Sequence, residues 1–362
     1  MEPVYEILKE HCDCRLFVPQ TADLVMDPFG YQPLRKLIAE LVDFRPHVVL
    51  AGENIRPLHL RTYMPQALFV HTRHGLASKG GAYEAASAAD FACVTSPYMR
   101  QWYLDAGAQP RRDFWVVGYP QMDPLFGTEP LPLRFALTPG KRVILYAPTF
   151  QASLSSARLL GARTVELLRG QRRDVSVIIK PHPLIGNLFP QWVEEWRRLA
   201  EGDPDVHLVE DTHDDVMPYL QAADVLVTDV SSVALEFLAT KRPMVLITSP
   251  HRDEEQYVDS NGLEWRWRDM GHEIFDVEQL PAAVGYALDH PSGGRERREH
   301  YHDLLFGDLA DGLAAKRIAD NVMALADRTV PDWWMSLGSR VGSIAINSAN
   351  WKGRIRTWRA LG

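Results

Sequence analysis

The sequence has few cysteines and no long apolar segment. Cys12, Cys14 and Cys93 are its three cysteines, an odd and sparse set that argues against a disulfide framework and fits a reducing compartment. Cys12 and Cys14 form a C-x-C pair rather than the C-x-x-C half of a zinc site, so we expect free thiols. No window offers about 18 apolar residues without charge, which argues against a transmembrane helix.

The N-terminus also lacks the basic and then apolar segments of a signal peptide, so we expect a cytoplasmic protein. The sequence has no excess of positive charge. Its net charge of −8 argues against a nucleic-acid-binding protein. The remaining composition, 46% hydrophobic and 24% charged residues, is typical of a globular enzyme. A chain of 362 residues is too long for one compact core, so we expect two domains.

Short apolar runs alternate with helical patterns along most of the chain. Runs such as residues 47–52, 175–181 and 224–229 are nearly continuous in apolar residues, which is typical of strands buried on both faces. Helical patterns lie between the runs. This alternation predicts parallel α/β sheets with helices on both sides.

A proline-rich segment marks the best domain boundary. Residues 120–141 contain five prolines and show no convincing helix or strand periodicity. The sequence therefore predicts an N-terminal domain, a linker, a second domain and a tail, with the bounds 1–125, 126–139, 140–325 and 326–362.

The tail differs in composition from the rest of the chain. After Asp332 it has no acidic residue, and its basic residues are interleaved with tryptophans: Arg340, Lys352, Arg354, Arg356 and Arg359 with Trp333, Trp334, Trp351 and Trp358. Such a segment can lie on an anionic membrane surface, which for a cytoplasmic protein is the inner face of the cell membrane. It can also form a helix that packs back on the first domain, and a structural role of this kind is the preferred interpretation.

Thr228, Ser231 and Ser232 lie where a buried strand ends and the next helix begins, in the segment "TDVSS". Free backbone N–H groups and the positive end of the helix dipole collect at such a start, so added hydroxyls make an anion site suited to a diphosphate. Plain N-capping by serine explains the pattern equally well. Glu236 lies four residues after Ser232, where its carboxylate either accepts hydrogen bonds from a ribose diol or is simply solvated.

Two further strand ends carry residues suited to anions. Lys180 and His182 follow a buried strand in "KPHP", where the prolines keep the chain extended. Lysine supplies a point charge, and histidine supplies a hydrogen bond or a proton. Thr149 follows another strand in "YAPTF" and can reach the same phosphate region, although a simple strand exit explains it equally well.

A histidine-rich strand end in the first domain, "HTRHGLASKGG", brings Arg73, His74 and Lys79 to a glycine-containing turn. It matches neither G-x-G-x-x-G nor the P-loop pattern, which argues against a mononucleotide kinase. A histidine in this position is a reasonable general base. His71 and His74 have no carboxylate at a suggestive spacing, so we expect no metal site.

The economical arrangement is two Rossmann-like domains that face each other across a cleft, with a nucleotide diphosphate in the second and the acceptor and base in the first. The motifs above, together with "VVGYPQMDPLF" and "DDVMPYLQAADVLVTDVSSVALEFLATKRPMVLI", occur in an order that resembles the CDP-glycerol glycerophosphotransferase family of teichoic acid and capsule polymer synthesis. The resemblance extends over roughly residues 65 to 325.

The resemblance implies a GT-B-like α/β fold and a metal-independent transfer that needs no cofactor besides a CDP-type donor. The catalytic residues that the resemblance implies are His74 and His182. His74 would be the base, and His182 would contact the phosphate. The other implied site residues are the diphosphate ligands Thr228, Ser231, Ser232, Thr149 and Lys180, the ribose ligand Glu236, and the acceptor-side residues Arg73 and Lys79. The expected partners are the donor and a glycan or lipid-linked acceptor, without nucleic acid.

Three positions depart from the family pattern: Val230 replaces its usual tyrosine, Gln151 an arginine and Arg73 a tryptophan. These departures leave the transferred group open. A GT-B glycosyltransferase that uses a nucleotide sugar and a UDP-sugar 2-epimerase-like enzyme are the alternatives. An epimerase needs several acid/base carboxylates near the sugar, and no tight carboxylate set accompanies His74 or His182 in the sequence. A non-enzymatic scaffold leaves the anion sites unexplained.

Overall fold

A computed structural model describes most of the chain: residues 2–17, 39, 42–52, 61–73, 76, 82–211, 214–254, 261–329 and 343–347. The chain divides into two compact units. Unit 1 comprises Met1–His74, Gly80–Asp123 and Leu304–Gly362, and unit 2 comprises Gly75–Lys79 and Pro124–Asp303.

Each unit is built on one parallel sheet. In chain order the strands are β1 (Asp13–Phe17), β2 (Val48–Ala51), β3 (Leu68–His71), β4 (Phe91–Val94), β5 (Asp113–Val116), β6 (Arg142–Ala147), β7 (Val175–Ile179), β8 (Val206–Leu208), β9 (Val225–Thr228), β10 (Met244–Ile247), β11 (His272–Ile274) and β12 (Ser343–Asn347). The α-helices in the described ranges are α1 (Glu2–Leu8), α2 (Ala82–Ala88), α3 (Pro97–Asp105), α4 (Asp123–Phe126), α5 (Ala157–Leu160), α6 (Thr164–Arg169), α7 (Ile185–Leu188), α8 (Pro190–Glu201), α9 (Met217–Ala222), α10 (Ser232–Phe237), α11 (Leu263–Arg266), α12 (Leu280–Asp289), α13 (Arg295–Leu305) and α14 (Ala314–Thr329).

The apolar runs form strands because both faces of each sheet are covered. Every residue of β2, β3, β7, β9 and β10 is buried. In unit 2 the core packs Ile144, Val177 and Val227 of three strands with Trp196 of α8 and Leu168 of α6. Such burial favours continuous apolar sequences over alternating ones, as the parallel α/β prediction requires.

The sheet of unit 2 has the strand order β11-β10-β9-β6-β7-β8, and every neighbouring pair is parallel. From β6 the chain adds β7 and β8 on one side, and then continues with β9, β10 and β11 on the other. The strand order therefore reverses between β6 and β9. In open α/β sheets, ligands bind in the crevice at the carboxyl ends of the strands at such a switch point.

The sheet of unit 1 has the order β1-β12-β2-β3-β4-β5. Strand β12 comes from the predicted tail and pairs in parallel with both β1 and β2. This part of the tail therefore has a structural role within unit 1. The other tail residues beyond 329, including the four tryptophans and the basic residues, lie outside the described residues.

Helix α14 also belongs to unit 1, where Ile318, Ala319 and Val322 pack with Val4 and Leu8 of α1. The predicted second domain, 140–325, differs from this division, since the chain returns to unit 1 at Leu304. Sequence periodicity predicts the buried face of a helix but not the core on which that face packs.

Polar side chains of unit 1 bind the end of α13 and the start of α14, where the chain returns to unit 1. Asp123 accepts hydrogen bonds from the backbone N–H groups of Ala314 and Ala315, at 3.0 and 2.7 Å, and so caps α14. Thr95 and Ser96, at the start of α3, donate from their hydroxyls to the carbonyl oxygens of Leu305 and Leu304, both at 2.6 Å. These bonds satisfy backbone groups that a helix end otherwise leaves without partners.

Across the described ranges, no helix is both long enough and apolar enough to span a membrane.

Candidate functional site

Four of the five predicted diphosphate ligands lie at the ends of β9 and β6, the two strands that flank the switch point of unit 2. Thr228, the last residue of β9, is fully buried, and its hydroxyl donates to the carbonyl oxygen of Ala147 in β6 at 2.6 Å. Thr149 is also buried. The structure thus brings these two loops together, and it uses the Thr228 hydroxyl to join the two strand ends.

Ser231 is the N-cap of α10. Its backbone is extended, and its hydroxyl accepts a hydrogen bond from the N–H of Val233 at 3.3 Å. Ser232 is the first helical residue and is half-buried. A 3-10 turn, Leu238–Thr240, continues α10 and lengthens its aligned peptide dipoles. The capping alternative is therefore present in the structure, and a capped helix start still directs backbone N–H groups toward the switch-point crevice.

Asp229 organises both loops and is absent from the predicted site residues. Its carboxylate is fully buried and accepts hydrogen bonds from the N–H of Thr149 at 2.9 Å, the N–H of Ser156 at 2.8 Å and the hydroxyl of Ser156 at 2.9 Å. Burial raises the pKa of Asp229, and these hydrogen bonds act in the opposite direction. Asp229 therefore fixes the β6–α5 loop against the start of the β9–α10 loop.

Arg268 supports Asp229 from the neighbouring strand ends. Its guanidinium is buried and donates to the carbonyl oxygen of Asp229 at 3.0 Å, to the hydroxyl of Thr248 at 2.9 Å and to the carboxylate of Glu273 at 2.9 Å. These bonds tie the exits of β9 and β10 to β11. An acidic residue directly after a buried strand, between hydroxyl residues, is the sequence signal that points to Asp229.

Lys180 and His182 lie together after β7, as predicted. The Lys180 side chain is buried, and desolvation lowers its pKa, while Asp214, Asp211 and Asp215 raise it. These aspartates belong to the β8–α9 loop, so carboxylates act on Lys180 of the "KPHP" segment although they lie about 30 residues further along the chain.

The ring of His182 is oriented by two contacts. Its Nδ1 accepts a hydrogen bond from the N–H of Leu184 at 3.2 Å, and the ring centroid lies 4.6 Å from that of Phe150. Because Nδ1 accepts, the neutral ring carries its proton on Nε2. His182 is thus held as a hydrogen-bond donor.

Glu236 is buried on α10 rather than solvated. Desolvation and the nearby carboxylate of Asp215 raise the pKa of Glu236 to about 8, although its carboxylate accepts a hydrogen bond from the backbone of Leu76. Leu76 belongs to the same compact unit. With a pKa of about 8, the Glu236 carboxyl is largely protonated at neutral pH.

The predicted acceptor-side residues fall mostly outside the described residues. Arg73 follows β3, and its guanidinium carbon lies 4.9 Å from the ring centroid of Tyr103. His74 and Lys79 lie outside the described residues, so the predicted base stays a prediction. Within the described ranges, no group of three or more His, Cys, Asp or Glu side chains is placed to hold a metal ion.

The family model CDP-Glycerol:Poly(glycerophosphate) glycerophosphotransferase matches residues 67–324, which confirms the resemblance predicted from the sequence. Teichoic acid glycerol-phosphate primase of Bacillus subtilis (strain 168) is 26% identical over 202 residues, covering 54% of this chain and 48% of that protein. This chain therefore spans about half the length of that curated relative.

Solved structures share the fold. A variant of the wall teichoic acid polymerase TagF, soaked with CDPG, has a TM-score of 0.62 at 16% identity, covering 90% of this chain and 85% of that chain. UDP-GlcNAc 2-epimerase from Neisseria meningitidis, bound to UDP-GlcNAc, has a TM-score of 0.57 at 14% identity, covering 90% of this chain and 96% of that chain. These likenesses confirm the predicted α/β, GT-B-like fold class.

Replacing Asp229 tests whether it holds the two loops together. Asp229→Ala leaves two buried N–H groups without their acceptor, so we expect a loss of about 2–5 kcal/mol in the free energy of unfolding. Urea denaturation measures this loss. Asp253→Ala is the matched control, because the Asp253 side chain is 92% exposed, and it should change stability by less than about 0.5 kcal/mol. Equal stability of the two variants would contradict the role of Asp229.

Glu236 should make the protein less stable as the pH rises. The unfolded chain loses this proton near pH 4.5, whereas the folded protein keeps it to about 8, so the native state binds more protons in that window. The free energy of unfolding should fall by up to about 1.4 kcal/mol per pH unit between these values. Urea titrations from pH 5 to 8 should show this slope reduced in Glu236→Gln and kept in Glu201→Gln, an exposed control. An unchanged slope in Glu236→Gln contradicts the assignment.

Proposed function

Since the chain belongs to the CDP-glycerol:poly(glycerophosphate) glycerophosphotransferase family, we propose that it transfers glycerol phosphate, or a similar polyol phosphate, from a CDP-activated donor to a glycan or lipid-linked acceptor in cell-surface polymer synthesis. We also propose the type of acceptor, a polyol phosphate as the transferred group, and contact of the protein with a membrane. The donor is a nucleotide of the cytoplasm, so the reaction belongs there, at the inner face of the membrane for a lipid-linked acceptor.

The observation that carries the proposal is the pair of joined loops at the switch point of unit 2. Asp229 holds the N–H of Thr149 at 2.9 Å, and Ser231 caps α10 beside it. A loop fixed in this way against a helix start supports diphosphate binding, because backbone N–H groups there are oriented before the ligand arrives. Ser232, half-buried at the first turn, adds a hydroxyl to the same place.

Lys180 and His182 complete the donor site in this proposal. A diphosphate near the buried Lys180 ammonium favours its charged form and offsets the desolvation that lowers its pKa. His182 donates from Nε2 to a phosphate oxygen and stabilises the charge that develops there. Glu236 accepts hydrogen bonds from the ribose hydroxyls once it gives up its proton.

His74 acts as the general base in the proposed reaction. It takes the proton of an acceptor hydroxyl, and the oxygen of that hydroxyl attacks the β-phosphorus of the donor. The bond between the β-phosphorus and the bridging oxygen breaks, and CMP leaves with that oxygen. The acceptor gains one polyol phosphate, and no metal ion takes part.

A UDP-sugar 2-epimerase-like activity is the second candidate. The aspartates near Lys180 favour it, because proton removal and return at a sugar carbon need carboxylates close to the ligand. The shared fold does not separate the two candidates, whereas the family match favours transfer.

Nucleotide titration separates these functions. We expect calorimetry to detect binding of CDP-glycerol and CDP, and UDP-GlcNAc to bind more weakly, because the proposed donor carries cytidine. The wild-type protein is used with EDTA present, so that binding without a metal ion is measured at the same time. Failure to bind any nucleotide contradicts a transferase, and 2-epimerisation of UDP-GlcNAc supports the second candidate.

His74→Ala tests the base directly. The variant should lower kcat by roughly 10²- to 10⁴-fold while the Kd for CDP-glycerol stays unchanged, since a base acts on the acceptor hydroxyl and not on the donor. Release of CMP measures kcat, and calorimetry measures the Kd. His11→Ala, at an exposed position of the same unit, is the control. Unchanged turnover in His74→Ala removes this residue as the base.

A further inference from the structure

A cavity of about 580 Å³ lies in unit 2 beside the exits of β7 and β8. Pro181 and His182 line it after β7, Val209 and Glu210 line it after β8, and α7 and α8 contribute the remaining residues. Its volume is within the range of about 300–1,000 Å³ that small-molecule sites occupy. The cavity lies at the carboxyl rim of the sheet, where open α/β sheets bind ligands.

The charged wall of this cavity is already neutralised in part. Arg197 donates from Nε and Nη2 to the two carboxylate oxygens of Glu210, at 2.9 and 2.7 Å, and from Nη1 to Glu194. The guanidinium lowers the pKa of Glu210, so the Glu210 carboxylate stays ionised at neutral pH. Two carboxylates and one guanidinium leave one net negative charge, which disfavours a phosphate group at this wall.

The remaining polar groups of the cavity can form hydrogen bonds with the hydroxyl groups of a ligand. The amides of Asn187 and Gln191 each supply donors and acceptors, and the carboxylates keep lone pairs that Arg197 does not occupy. In the described part of the chain, the lining contains no phenyl, phenol or indole ring.

We propose that this cavity binds a neutral, hydroxyl-rich unit of the acceptor, a sugar or an unphosphorylated polyol near the reacting hydroxyl. The inference rests on the proposed function, because it assigns this unit of the acceptor to a place next to His182, whereas the sequence pattern predicts acceptor-side residues only in the first domain. The guanidinium fixed between Glu194 and Glu210 holds the acidic wall in one geometry, and the two amides complete the hydrogen bonds to hydroxyls. The acceptor unit is thus selected by hydroxyl groups rather than by phosphate.

Gly186→Leu tests the cavity by filling it. Gly186 lines the cavity, has an ordinary helical backbone in α7, and a Cβ atom there meets nothing within 4 Å. Gly285→Leu is the matched control, because Gly285 lies in α12 of the same unit and its Cβ would also meet nothing within 4 Å. Both variants add the same side chain to a helix, but only the first occupies the cavity.

Saturation-transfer difference NMR with methyl β-glucoside, glycerol and glycerol 3-phosphate measures binding without a nucleotide. We expect signals from the glucoside or glycerol with wild type and Gly285→Leu, and roughly tenfold weaker binding with Gly186→Leu. Asn187→Leu, which removes an exposed amide, should weaken binding in the same direction. The Kd for CDP should be equal in all four proteins.

The inference is overturned if wild type binds neither neutral probe, if Gly186→Leu binds them equally well, or if glycerol 3-phosphate binds in place of the neutral probes. A parallel loss of CDP binding in Gly186→Leu also overturns it, because the cavity then belongs to the donor. The proposed function fails on a different observation, the absence of nucleotide binding by wild type, so the two failures are distinguishable.

Discussion

The buried carboxylate of Asp229 is the constraint on which the arrangement of unit 2 depends. It follows β9 directly, and it binds the N–H groups of Thr149 and Ser156 in the loop after β6. The reversal of strand order between β6 and β9 opens a crevice, and this carboxylate fixes the loops on either side of it. A loop held by hydrogen bonds to a buried charge has few alternative conformations, so its own N–H groups keep their directions.

Burial favours the neutral form of each of three ionisable groups around this crevice. It raises the pKa of Asp229 and Glu236 and lowers the pKa of Lys180. In each case desolvation disfavours the charged form. Stability in this unit therefore depends on a few hydrogen bonds to groups that water no longer solvates, and less on the many exposed ion pairs of its surface.

The strands with long apolar runs could be predicted from the sequence because their composition reflects burial on both faces. The runs at 47–52, 175–181 and 224–229 contain β2, β7 and β9. In contrast, β1 has the sequence DCRLF, β11 has only three residues, and β12 lies among polar residues. Such segments become strands through their neighbours in the sheet, and a local pattern does not contain that information.

The site was predictable to the extent that it follows from sheet geometry. Parallel strands end at one edge, so polar residues after β6, β7 and β9 had to lie near one another. The sequence signals a polar residue at Asp229 but not its partners, because Thr149 and Ser156 lie 80 and 73 residues away in sequence. Glu236 was predicted as a ribose ligand, with a solvated residue as the alternative, and its burial was not predictable because tertiary packing decides which face of α10 is covered.

The position of β12 has a consequence for how the protein is made. β12 lies between β1 and β2 in the sheet, yet a ribosome synthesises it only after all six strands of unit 2. The strands of unit 2 come from one continuous segment and can pair as soon as that segment has emerged. Until β12 emerges, β1 and β2 each expose a backbone edge that is prone to non-native pairing. The sheet of unit 1 is thus completed only after that of unit 2, although β1 and β2 precede the strands of unit 2 in the chain.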